Sequence, residues 1–75
     1  MNNKRRKELH IAFDYLKKAS EIVQKVLDQE QDALNNWPEN LQESDRYYEA
    51  EEICNNIEDL YYELQESCEA AGKLI

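Results

Sequence analysis

The side chains that could perform chemistry are few and widely spaced in this sequence. His10 is the single histidine, and the two cysteines, Cys54 and Cys68, lie 14 residues apart. On one continuous helix that spacing corresponds to about 21 Å, which excludes both a disulfide between them and a metal ion shared by them. We therefore expect two reduced, packed thiols in a cytoplasmic protein, with no metal ion and no cofactor.

Carboxylates are abundant, but their spacing is that of a solvated helix and not of an active site. Pairs such as Glu66 and Glu69 have the i, i+3 spacing of one helix face, and no histidine accompanies them as in a di-iron bundle. The sequence also contains no glycine-rich phosphate loop, nucleophile elbow or calcium-binding loop, and its one glycine, Gly72, is placed to end a helix. We expect a protein without enzymatic activity.

The charge of the chain is distributed unevenly. Lys4, Arg5, Arg6 and Lys7 form a basic cluster, whereas residues 39–75 contain 11 acidic and 2 basic side chains. An acidic body repels the phosphate backbone, so direct nucleic-acid binding is disfavoured. The chain has no apolar run near the ~18 residues of a membrane span, and no apolar segment of a secretory signal follows the basic start.

The first half of the chain carries a heptad pattern that predicts a helix over about residues 8–36. Apolar residues recur at alternating spacings of four and three from Leu9 to Trp37, which is the seam of a helix that packs on another helix. Ser20 and Glu30 are polar interruptions, and Glu30 is expected to reach water near an end of the bundle. The basic tip over residues 1–7 is expected to be a frayed, solubilising end or to lie against an acidic neighbour, and contact with a negatively charged molecule is the alternative. A second stripe beside the seam consists of Ala12, Ala19, Val26 and Ala33, widened by Tyr15 and Ile22.

A second pattern predicts another helix over about residues 44–73. Its predicted seam consists of Ala50, Ile53, Ile57, Leu60, Leu64, Ser67, Ala71 and Leu74. A flanking stripe repeats every seven residues, at Tyr47, Cys54, Tyr61, Cys68 and Ile75. The tyrosine hydroxyls suit the wet rim of an interface.

Residues 37–43 separate the two patterns and predict a corner. Pro38 cannot continue a helix and biases Trp37 away from helical dihedral angles, so the first helix should end at Asn35 or Asn36, both of which tolerate a left-handed conformation. Ser44 is a favourable N-cap for the second helix, with Asp45 in its first turn. We expect a corner plug in which Trp37 and Leu41, set by Pro38, fold inward over the end of the bundle.

Each predicted helix has an apolar face wider than the single seam of a two-helix hairpin. We therefore predict one all-α domain over residues 1–75, an antiparallel helical hairpin that dimerises into a four-helix bundle. A different protein with matching helices is the alternative occupant of the wide face. The residues expected at the dimer or partner interface are Ile22, Val26, Tyr47, Cys54, Ile57, Tyr61 and Cys68.

The corner also carries a resemblance to a known group of proteins. Asn36-Trp37-Pro38-Glu39, Leu41-Gln42 and Ser44 resemble the corner of small uncharacterised helical-hairpin proteins of bacterial phages and mobile elements. The resemblance covers about residues 30–60 and departs at Trp37, where a smaller apolar residue is usual, and after Ser44, where Glu and then Gly are usual. It implies a helical hairpin and a mobile-element origin, and it implies no particular activity.

Three functions remain open from the sequence. The leading hypothesis is a non-catalytic protein–protein interaction or assembly module, derived from a phage or mobile element, that forms a homodimer and binds a protein partner. The alternative is an acidic inhibitor that mimics nucleic acid and blocks a host or defence enzyme, and the third is a structural subunit of a larger assembly. The acidic face on which mimicry would depend consists of Glu51, Glu58, Asp59, Glu63 and Glu66.

Overall fold

The fold is a helical hairpin, as the two heptad patterns predict. The computed structural model describes all residues from Met1 to Ile75. Helix α1 spans Asn3–Asn35, helix α2 spans Asp45–Gly72, and a short 3-10 helix at Glu39–Leu41 lies between them. The two long helices pack against each other in a rod with Cα extents of 60 × 14 × 13 Å. Neither of them contains an apolar stretch long enough to cross a bilayer.

Helix α1 begins earlier than the sequence pattern indicates. The side chain of Asn2 caps it by accepting a hydrogen bond from the backbone N–H of Arg5 at 2.9 Å. The basic cluster from Lys4 to Lys7 is therefore part of α1. An asparagine N-cap satisfies one of the backbone donors that have no partner inside the helix, which explains why the helix can start there.

Helix α1 ends at Asn35, one of the two predicted positions, but no residue there takes up a left-handed conformation. Asn36 has φ −92° and ψ 6°, and no residue in the chain has a positive φ. The helix closes instead with a hydrogen bond from the N–H of Trp37 to the carbonyl oxygen of Leu34, at 3.2 Å. Pro38 then has φ −57° and ψ 134°, so it turns the chain out of the helix.

The corner is held by local hydrogen bonds and by one aromatic contact. The side-chain amide of Gln42 donates to the carbonyl oxygen of Trp37, and Ser44 caps α2 as predicted by accepting from the N–H of Tyr47 at 3.3 Å. The half-buried ring of Trp37 packs edge-on against Tyr47, with centroids 5.8 Å apart. Trp37 therefore lies at the corner end of the seam, in contact with the first turn of α2. Leu41 does not fold inward, because it lies in the 3-10 turn and is 46% exposed.

The seam between the helices has the predicted residues in α1 but a different set in α2. Leu27 and Ser20 are buried in α1, and Cys54 is the one buried residue of α2. Ile53 and Leu60, which the sequence pattern places in the seam, are largely exposed. The buried or half-buried set in α2 is Tyr47, Ala50, Cys54, Ile57, Tyr61, Leu64, Cys68, Ala71 and Ile75. Helix α2 is therefore rotated about its own axis by roughly 50° from the predicted orientation.

A hydrogen bond to Ser20, a polar interruption in the α1 seam, explains part of the rotation of α2. The hydroxyl oxygen of Ser20 accepts a hydrogen bond from the side-chain amide of Gln65 at 3.0 Å, and that amide also donates to the hydroxyl of Tyr61 at 2.8 Å. A buried hydroxyl without a partner costs about 1–3 kcal/mol, so an orientation that brings Gln65 to Ser20 is favoured. Glu30, the other polar interruption, is exposed to water.

The same contacts set the relative height of the two helices. Ser20 lies beside Gln65 and Trp37 lies beside Tyr47. Because the helices are antiparallel, a residue of α1 and a residue of α2 lie at the same position along the rod when their numbers add up to 84 or 85. The end of α2 at Gly72 therefore lies beside Ala12 and Phe13, and the last residue, Ile75, lies beside Leu9, the first residue of α1 that is partly buried. The first two turns of α1 project beyond the hairpin and contact no other helix.

Trp37 allows a test of what holds the corner. Its indole nitrogen Nε1 is buried without a hydrogen-bond partner, so Trp37→Phe keeps the ring contact with Tyr47 and removes a costly donor. We expect Trp37→Phe to change the free energy of unfolding by less than about 1 kcal/mol and Trp37→Ala to lower it by about 3 kcal/mol. Urea titrations at one fixed protein concentration measure both, and equal losses in the two variants would contradict this account.

Candidate interaction surface

Most of the residues predicted to form an interface with a second molecule are used inside the hairpin. Cys54 is buried, and Tyr47, Ile57, Tyr61 and Cys68 are half-buried between α1 and α2. This is a correction to the sequence interpretation, and its cause is the rotation of α2 described above. Of the predicted interface, only Ile22 and Val26 remain free, with 53% and 39% of their surfaces exposed.

The rotation exposes a different set of apolar side chains on one broad side of the hairpin, whereas Tyr62 is exposed on the opposite side. Each side chain of this set comes one residue before a seam residue. In α1, Val26 precedes Leu27; in α2, Ile53, Leu60 and Leu74 precede Cys54, Tyr61 and Ile75. Viewed from one end of the hairpin, successive residues rotate in opposite directions in the two antiparallel helices, and the two helices also face each other from opposite directions. Residues one position before the seam therefore lie on the same side in two antiparallel helices. We call this side the apolar face. Its large side chains are all exposed: Tyr15, Ile22, Val26, Ile53, Leu60 and Leu74.

The opposite side of the hairpin is a polar groove. It has a volume of about 680 Å³, and seven of its ten lining residues are polar or charged. Lys17 lies in it with its ammonium group 5.6 Å from the centre of the Phe13 ring. The groove also contains Glu21, Glu66 and Glu69, so carboxylates outnumber cations there. The hairpin therefore has one apolar side and one hydrated, acidic side.

The predicted acidic face does not form a single row. Glu51, Glu58 and Glu66 lie toward the polar groove, Asp59 lies on the outer edge of α2, and Glu63 lies at the border of the apolar face. Glu58 is half-buried, and the other four are exposed. The negative charge therefore surrounds the outside of α2 and is not aligned as one strip.

The two thiols differ in their surroundings, and both are free. Cys54 is buried opposite Glu30, and burial raises the pKa of its thiol, with the nearby carboxylates of Glu30 and Glu58 raising that pKa further. A thiol held in its protonated form is a poor nucleophile and a poor metal ligand. No three side chains of His, Cys, Asp or Glu come together in a group that could hold a metal ion.

The total exposed area shows how little of the apolar surface the hairpin covers by itself. Leu27 and Cys54 are the whole buried apolar core, and only 3 of 75 residues are buried at all. The chain exposes 6083 Å², whereas a compact monomer of 9.0 kDa is expected to expose about 4900 Å². The difference is about 1200 Å², as expected of an elongated rod of 60 × 14 × 13 Å.

The thiols provide a direct test of the rotation of α2. If Cys54 lies in the seam, iodoacetamide at pH 8 should modify Cys68 at least about ten times faster than Cys54, because burial and the raised pKa both slow the reaction. Mass spectrometry after cleavage at glutamate, which separates Cys54 from Cys68 at Glu58, Glu63 and Glu66, measures the two rates. Denatured protein, in which the rates should be similar, is the control. Equal rates in the folded protein would place Cys54 outside the seam.

Comparison with known proteins identifies no relative of this chain. No protein-family model, curated protein or solved structure matches the chain. What the chain does has to be inferred from its own surfaces, of which the apolar face departs most from an ordinary solvated surface.

Proposed function

We propose that this chain is a non-catalytic protein-interaction and assembly module. It forms a homodimer through its apolar face, which turns two hairpins into a four-helix bundle, and it presents its acidic exterior to a protein partner. The observation that carries this proposal is the apolar face itself, which lies on a hairpin whose own core is Leu27 and Cys54. The corner that resembles phage and mobile-element proteins supports an origin there, and two reduced thiols suit the cytoplasm.

The length of the apolar face suits helix packing between two copies. From Ala12 to Ala33 it follows α1 for about 32 Å at ~1.5 Å per residue, which is about six turns of helix. Small helical scaffolds without a disulfide or a metal commonly gain stability by oligomerising, because one narrow core is insufficient. A twofold dimer covers the same face on both copies at once.

Charged substitutions on the apolar face test the homodimer. The double variant Ile22→Glu/Leu60→Glu places two carboxylates in the proposed interface, so we expect a molar mass near that of the 9.0 kDa chain. The unmodified protein should have twice that mass in light scattering on a sizing column over a wide concentration range.

The matched control is Gln24→Glu/Tyr62→Glu, which adds the same charge in the polar groove. This variant should remain dimeric, and circular dichroism should show helix in both variants. An unmodified protein that stays monomeric at high concentration would contradict the homodimer, and loss of the dimer in the control would contradict the choice of face.

A second candidate function, an acidic inhibitor that mimics nucleic acid, rests on the exposed carboxylates around α2. Binding of that kind depends on long-range attraction, so capture of a nucleic-acid-binding enzyme should be lost at about 0.5 M salt. The variant Glu58→Lys/Asp59→Lys/Glu63→Lys should abolish such capture by charge reversal. Capture that persists at high salt, measured with the purified enzyme on immobilised protein, would contradict mimicry and favour an apolar contact.

A further inference from the structure

We infer that the two copies pair about a twofold axis parallel to the helices, so that α1 of each copy packs against α2 of the other. This inference rests on the proposed homodimer and specifies its geometry. Two apolar faces can be stacked with twofold symmetry in two ways. An axis along the bundle brings α1 onto the partner's α2, whereas an axis across the bundle brings α1 onto α1 and α2 onto α2.

Charge along the borders of the apolar face favours the axis along the bundle. The outer edge of α1 beside this face carries Lys18 and Lys25, followed seven residues later by Asp32. The corresponding edge of α2 carries Glu52, Asp59 and Glu63, with Lys73 at its end, whereas Glu66 lines the polar groove. Packing α1 on the partner's α2 therefore joins a basic edge to an acidic edge on both sides of the dimer. Packing like helices together would join lysines to lysines and carboxylates to carboxylates.

The heights of these charges also agree with this arrangement. Residues at equal height in the hairpin have numbers adding up to 84 or 85, as the Ser20–Gln65 and Trp37–Tyr47 contacts show. An axis along the bundle keeps every residue at its height. Lys25 then lies level with Asp59 of the partner subunit, and Glu63 of the partner subunit lies between Lys18 and Lys25. One like-charged pair, Asp32 with Glu52 of the partner subunit, also lies level, near the corner.

Side-chain size along the centre of the apolar face supports the same pairing independently of charge. The central row of α1 is small, with alanine at three of its four positions, and the central row of α2 contains Ile53, Leu60 and Leu74 together with Ser67. Two of the four pairs brought to about equal height, Ala12 with Leu74 and Ala33 with Ile53, join a small to a large side chain; the other two are Val26 with Leu60 and Ala19 with Ser67. Small against large fills space at the density of a protein interior, whereas alanine against alanine leaves a gap.

The two arrangements predict different distances between the N-terminal tips. An axis along the bundle places both tips at one end, on diagonally opposite helices about 13 Å apart at an interaxial spacing of ~9 Å. An axis across the bundle, through the middle of the apolar face, separates residue 4 of one copy from residue 4 of the other by about 55 Å.

Pulsed electron–electron double resonance on the full chain measures this distance. A nitroxide is attached to Lys4→Cys in a Cys54→Ala/Cys68→Ala background, and a main distance of about 15–30 Å is expected once the label linkers are included. Dilution with unlabelled chain should remove the signal. A dimer with a distance of about 55 Å would overturn the pairing and leave the homodimer intact, whereas an unmodified chain that is monomeric by light scattering would overturn both.

Charge reversal tests the pairing with both native cysteines in place, so it remains decisive if the cysteine-free background does not fold. Lys18→Glu/Lys25→Glu should raise the dimer dissociation constant at least about tenfold at low salt, and Asp59→Lys/Glu63→Lys should weaken the dimer similarly. Combining all four substitutions should restore dimerisation, because the attraction is then re-formed with opposite signs.

The control Lys7→Glu/Lys17→Glu carries the same change in net charge away from the proposed contact and should have little effect. Two double variants that dimerise as well as the unmodified protein would overturn the proposed pairing. Failure of the fourfold variant to recover would do so as well, and analytical ultracentrifugation provides the dissociation constants for every variant.

Discussion

The orientation of α2 about its own axis decides what the rest of the molecule can do. Two overlapping heptad stripes compete for the single seam, and the seam can bury only one of them. The contact of Trp37 with Tyr47 and the hydrogen bonds from Gln65 to Ser20 and Tyr61 select the stripe that contains Cys54. Everything on the surface follows from that selection, including the apolar face and the distribution of carboxylates around α2.

The sequence was sufficient for the helices, the corner and the seam of α1, because each depends on local signals. Proline, a serine N-cap and heptad spacing act over a few residues, and they predict the hairpin correctly. The rotation of α2 was not predictable in the same way, since both stripes have identical periodicity and share Ala50, Ile57, Leu64 and Ala71. The signal that could have predicted the orientation of α2 was the buried hydroxyl of Ser20. It needs a hydrogen-bond partner, and Gln65 provides that partner.

This difference changes the candidate site more than it changes the fold. A rotation of about 50° leaves the hairpin almost unaltered but exchanges buried for exposed residues along one whole helix. Tyr47, Tyr61 and Cys68 stabilise the hairpin, and Ile53 and Leu60 become available to a second molecule. Surface function in a two-helix protein is therefore less predictable from sequence than its architecture, because a small rotation is sufficient to relocate it.

The projecting start of α1 gives the hairpin a gradient of local stability. Its first two turns have no neighbour to pack on, and their four cations lie where the aligned peptide dipoles already concentrate positive charge. Packing and electrostatics both oppose helix there, and the Asn2 cap is the one local contact that favours it. Transient opening of the backbone therefore begins at Asn3 and stops at Leu9, where the seam begins, so amide hydrogens before Leu9 exchange without unfolding the remainder.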